Sequence, residues 1–87
     1  MKLKYEFETV ELDDQIMAVP VGDRAPDLHG MLRLNETAAD MLKLLKEETT
    51  EEALADALLS TYAGSREEVL RYVHTFVGQL TDLGLME

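Results

Sequence analysis

The run Gly30-Met31-Leu32-Arg33-Leu34-Asn35-Glu36-Thr37-Ala38-Ala39-Asp40 places a strand-to-helix junction near the middle of the chain. An extended apolar segment ends on Asn35 and passes directly into a helical pattern. Asparagine is among the strongest N-cap residues, because its side-chain oxygen accepts from the unpaired amides of a helix's first turn. Strand-like pattern precedes the junction, and purely helical pattern follows it. A strand that feeds a block of helices is the layout of a binding scaffold rather than of a catalytic one.

Upstream, the alternation Leu3, Tyr5, Phe7 has the period of a half-buried strand and predicts one over Lys2–Leu12. Val10 and Leu12 fall on the opposite phase, which predicts a bulge or a twist near Thr9. Asp13-Asp14 reads as a turn and Gln15–Val21 as a second strand, the two strands forming a hairpin. Pro20, Gly22 and Pro26 mark Val21–Asp27 as a loop. Leu28–Leu34 is the predicted third strand. Gly30 near its start marks either a close backbone approach or a plain beginning of the strand.

Downstream, Ala38, Met41, Leu42 and Leu45 give a first helix from about Glu36 to Glu48 one apolar stripe. Thr49-Thr50-Glu51-Glu52 is a Thr-x-x-Glu capping box that opens a second helix, with Leu54, Ala57, Leu58 and Tyr62 on its apolar face. Ala63-Gly64 breaks it. Ser65-Arg66-Glu67-Glu68 is another capping box and begins the longest helix. Val69, Val73, Phe76, Leu80 and Leu83 form its stripe at near-heptad spacing. Gly84 suits the position just past a helix end, and Leu85 folds back on it. The order β-β-β-α-α-α predicts an α+β fold: a three-stranded antiparallel sheet (residues 2–34) followed by three helices (residues 36–84), in a single domain over residues 1–87. A helix, a turn near Gly64 and a longer third helix also make it winged-helix-like.

Eighty-seven residues suffice for one domain with a modest core. The absence of cysteine excludes a disulfide framework and thiolate metal sites. The opening Met-Lys-Leu-Lys-Tyr-Glu has no apolar h-region and no stretch is long enough for a membrane span, so a cytoplasmic protein that does not engage the membrane is expected. The net charge is −10, divided as −3 over residues 1–34, −5 over 35–64 and −2 over 65–87. No segment is net basic, which argues against nucleic acid as a partner. His29 and His74 have no second His or Cys at ligand spacing and read as surface residues. The acid pairs sit at turns and helix starts, where the caps and the helix dipole explain them. Ser60 and Ser65 lack a nucleophile elbow, and no glycine loop can cradle a phosphate. Nothing supports catalysis, a cofactor or a metal.

Two features remain. An open sheet edge is a template for another extended chain, and Leu28–Leu34 is a candidate for it. The third helix carries Leu70, Tyr72 and Val77 beyond its principal stripe, apolar surface for either a larger core or a partner. Side by side, that strand and that helix form a groove able to capture a peptide by strand addition.

The ordered set Gly30–Ala39, Leu44-Leu45, Glu48–Glu52 and Val69 through Phe76 to Leu83-Gly84-Leu85 resembles the PqqD family over roughly residues 5–86. The shared pattern is a strand ending in Leu-Asn, small residues in the first helix, a Thr-x-Glu-Glu second start and a terminal Gly-Leu. The resemblance implies a winged-helix-like peptide chaperone, similar to RiPP recognition elements, that binds the leader of a ribosomally made precursor peptide. It further implies presentation of that precursor to a modifying enzyme, often a radical SAM protein. On this resemblance Gly30, Met31, Leu32, Arg33 and Leu34 on the strand, with Val69, Tyr72, Val73 and Phe76 on the helix, make the peptide groove. Arg33 is either a partner for an acidic leader residue or a solvated edge residue. Two departures from the family pattern, the long Val21–Leu28 connection and the strong acidity, leave the identity of the leader open. The alternatives are a winged-helix DNA-binding regulator and an accessory subunit that stabilises an enzyme without touching its peptide. An exposed strand edge also permits a homodimer.

Overall fold

A computed structural model describes residues 1–23 and 31–87. Its elements are β1 (Glu6–Leu12), β2 (Gln15–Val21), β3 (Leu32–Leu34), α1 (Glu36–Leu44), α2 (Glu51–Leu59) and α3 (Arg66–Asp82). The sheet is antiparallel in the order β1-β2-β3, so the fold is the expected α+β arrangement of three strands followed by three helices. The predicted segment 28–30, with Gly30, and most of the Val21–Asp27 loop lie outside the described residues.

β1 begins at Glu6 rather than Lys2. Before it, Leu3 pairs with Met86 in an isolated antiparallel bridge, and the Lys4 amide donates to the Leu85 carbonyl at 2.8 Å. The first residues are therefore committed to the end of the chain and not to the sheet. Of the expected bulge or twist near Thr9, the bulge is absent: pairing runs unbroken from Glu6↔Val21 to Leu12↔Gln15. Val10 and Leu12 change phase because they face away from the helices, not because the backbone slips. Asp13 and Asp14 both have positive φ (49° and 66°), as a two-residue hairpin turn requires.

The helix starts follow local hydrogen-bond logic, with one shift. Asn35 and Ser65 cap α1 and α3, accepting from the Ala38 and Glu68 amides at 2.8 and 3.2 Å. α2 is capped by Thr50, not Thr49: its Oγ1 accepts from the Ala53 amide. The Thr49 backbone is instead tied to Met1: its amide donates to the Met1 carbonyl at 3.0 Å, and its carbonyl accepts from the Met1 amine at 2.9 Å and so takes no helical bond. α1 stops at Leu44, short of Glu48, and α2 at Leu59, short of Tyr62.

The core joins Leu3, Phe7 and Ala18 to Met41, Leu42, Leu45, Leu54, Leu58, Val73, Val77 and Leu80. In α3 the buried series is Val73, Val77 and Leu80, so Val77 is core, while Leu83 is 60 % exposed. The reason lies at the helix end. Gly84 takes φ +76°, its amide donates to the Thr81 carbonyl, and the Leu85 amide donates to the Leu80 carbonyl. This Schellman closure reverses the chain and delivers buried Leu85, instead of Leu83, to the core. Gly84→Ala forces a left-handed backbone on a residue with a Cβ and is expected to lower stability by about 1 kcal/mol. Urea denaturation checks this as a lower midpoint at an unchanged m-value.

Candidate functional site

The site grows from the end of β3. On one side β3 pairs with β2, through Ile16↔Leu34, Met17↔Arg33 and Ala18↔Leu32. As the last strand of the sheet it has no pairing partner on its other edge among the described strands. Leu32 and Leu34 pack inward against the core, whereas Arg33 is exposed and Met31 is 57 % exposed. Among the described residues no carboxylate pairs with Arg33.

Asn35 ties this strand to α3. While its Oδ1 caps α1, the Tyr72 hydroxyl lies 3.2 Å from Oδ1 and 3.1 Å from Nδ2, donating to the first and accepting from the second. One asparagine thus ends the strand, starts a helix and anchors the exposed side of another helix. Beside this bridge lies an open depression of about 300 Å³ between the β3–α1 junction and the first turns of α3. Asn35, Thr37, Val69 and Tyr72 line it, with Leu58 beneath and the Tyr62–Gly64 corner closing one end. Gly64 has φ +142°, so the corner's shape depends on glycine's backbone freedom.

The corner is fixed from α1. The Tyr62 hydroxyl donates to Asp40 Oδ2 at 2.5 Å, and this hydrogen bond to a carboxylate raises the Tyr62 pKa above its ordinary value near 10.

Of the residues expected at the groove, Tyr72 is 41 % exposed, Val69 and Phe76 are half-buried against the core, and Val73 has no exposed surface. Val73 sits on the helix side that faces the core and supports the groove from beneath. Leu32 to Leu34 lie on β3 and Met31 directly precedes it; Gly30 lies outside the described residues. Asn35, Thr37 and Tyr62 were not expected at the site. Asn35 is legible as a cap, but nothing local announces a partner 37 residues away. His74 contacts Glu51 at 2.9 Å on the surface, and the described residues hold no cluster of three His, Cys, Asp or Glu side chains fit for a metal. Among the described residues no helix is long and apolar enough to cross a membrane.

Two outcomes test this geometry. Asn35→Ala is expected to lower stability by about 1 kcal/mol through loss of the cap, and Tyr72→Phe by less, since its hydroxyl is exposed. Ultraviolet titration is expected to show Tyr62 ionising above pH 10, and Asp40→Asn to bring that ionisation down. Because the folded pKa is raised, this contact's contribution to stability is complete below pH 10 and lost as pH rises through the folded value.

No curated protein sequence matches the chain. Two solved structures share its fold. One is TbiB1 in complex with the TbiA(beta) leader peptide, at 22 % identity and TM-score 0.75, covering all of this chain and 95 % of that one. The other is a lasso peptide synthetase B1 complexed with the leader peptide, at 23 % identity and TM-score 0.68, covering 97 % of this chain and 93 % of that one. The family model described as Coenzyme PQQ synthesis protein D (PqqD) matches residues 24–86, a span that holds β3, α3 and the Asn35–Tyr72 bridge between them. The chain belongs to the PqqD family.

Proposed function

We propose that this protein is a non-catalytic adaptor of the cytoplasm. It takes the leader of a ribosomally made precursor peptide as a fourth strand on β3 and presents it to a modifying enzyme, a radical SAM protein being the foremost class. The observation that carries this reading is the edge of β3, without a strand partner among the described residues, held beside α3 by the Asn35–Tyr72 bridge. Strand addition needs main-chain groups free to pair along one wall and side-chain pockets along the other. β3 supplies the first. Val69 and Tyr72, which line the depression, supply the second, with the half-buried Phe76 one turn further along α3. Both structural neighbours hold a leader peptide, in agreement with this use of the fold.

Main-chain pairing gives affinity with little regard to sequence, so specificity falls to the groove side chains. Arg33, exposed on the strand and without a carboxylate partner among the described residues, is placed to meet an acidic leader residue. The DNA-binding alternative loses its best cations: Arg66 pairs with Asp56, and Arg71 with Glu67 at 3.8 Å. Surplus positive charge on α3 is what a phosphate backbone would require.

Fluorescence anisotropy with the labelled leader of the neighbouring precursor gene, set against a generic DNA duplex at low salt, tests the reading. Saturable leader binding without duplex binding is expected. Tyr72→Ala is expected to weaken the leader about tenfold while the fold, followed by circular dichroism, is kept. Duplex binding in place of leader binding overturns the proposal.

A further inference from the structure

β2 is apolar on both of its faces. Ile16, Ala18 and Pro20 turn toward the helices, with Ala18 fully buried; Met17, Val19 and Val21 turn the other way. Directly paired residues of an antiparallel ladder share a face, so the register adds Val10 and Arg33, the partners of Met17, to that outer side. Leu12 follows by alternation. A sheet with one solvated face ordinarily alternates apolar inward and polar outward. An unbroken apolar run from Ile16 to Val21 is instead the pattern of a strand covered on both sides. The helices pack on one side only. On the other, Val10 and Leu12 remain 39 % and 58 % exposed.

The charge of the hairpin is one-sided, and Arg33 on β3 is the cation that the register adds to this face. From Glu6 to Val21 the hairpin carries five carboxylates (Glu6, Glu8, Glu11, Asp13 and Asp14) and no lysine or arginine. Glu8 stands opposite Val19 on the same outer side, and Asp13-Asp14 forms the turn just past Leu12. A second copy of the chain would set carboxylates against carboxylates. A partner that is apolar at the centre and flanked by lysines or arginines answers both features.

We infer that the outer face of the sheet docks the peptide-modifying enzyme through an apolar surface framed by basic residues. The face lies next to β3. A peptide strand added to β3 extends the same sheet and turns every second side chain toward whatever sits on it. The enzyme seated there touches adaptor and bound peptide together. This choice of occupant rests on the adaptor reading above.

The probe is the peptide-modifying enzyme encoded beside this chain, titrated calorimetrically at low and high salt, with leader anisotropy measured in parallel. Val10→Thr with Leu12→Thr places β-branched residues, which suit a strand, at two exposed positions and so preserves the fold. This pair is expected to weaken enzyme binding about tenfold or more and to leave leader affinity unchanged. Glu8→Lys, which touches no apolar packing, is expected to weaken enzyme binding most at low salt. Equal enzyme affinity for wild type and both variants overturns the inference, as does the absence of enzyme binding to wild type. So does a wild-type dimer in sedimentation that Val10→Thr/Leu12→Thr dissociates, since the face would then serve a second copy. Failure of the leader alone to bind contradicts the adaptor reading and leaves the enzyme titration to decide the face by itself.

Discussion

Asn35 carries three obligations with one side chain, and the arrangement of the site depends on it. It ends β3 in an extended conformation, caps α1 through Oδ1, and holds the Tyr72 hydroxyl of α3. The cap satisfies an amide that would otherwise lack a partner; the bridge fixes how far α3 stands from the strand edge. Without it, the edge and the helix are two separate surfaces. With it, the end of the strand and the first turns of α3 border one open depression.

The rest of the molecule makes that bridge rigid. The Tyr62–Asp40 contact braces the corner at one end of the depression, and the Leu3–Met86 bridge ties the first residues to the segment after α3. The Schellman closure at Gly84 brings Leu85 under α3. Val73, Val77 and Leu80 then hold the helix against the core, which leaves Tyr72 as its exposed aromatic beside the strand. The division between buried Val73 and exposed Tyr72 lets a small domain keep a full core and still offer an apolar wall.

What the sequence made legible was whatever acts within a few residues. The caps at Asn35 and Ser65 and the stop at Gly84 each rest on hydrogen bonds spanning three to five residues, and all three stand where local chemistry puts them. Features decided at a distance were misread. Thr49 and Thr50 are equivalent by local rules, but the Thr49 carbonyl is taken by the Met1 amine, while the Thr50 carbonyl accepts the first helical bond from Leu54. The phase change at Val10 resembles a bulge until the sheet is seen to carry apolar residues on both sides. A near-heptad template put Leu83 on the core stripe and left Val77 off it. The helix ends before Leu83 can reach the core, and Val77 belongs to the same turn-by-turn series as Val73 and Leu80. The link between Asn35 and Tyr72 has no periodic signature at all.

Leader capture by strand addition requires the open edge of β3 and the exposed side of α3 to act together. An amide NMR titration of the labelled protein with the leader peptide addresses it most directly. Capture by strand addition predicts shifts concentrated at Met31–Leu34 and at the exposed side of α3 around Val69, Tyr72 and Phe76. Added protection of β3 amides from exchange should accompany them. A flat titration of the folded protein, or shifts gathered on the opposite edge at β1, would contradict it.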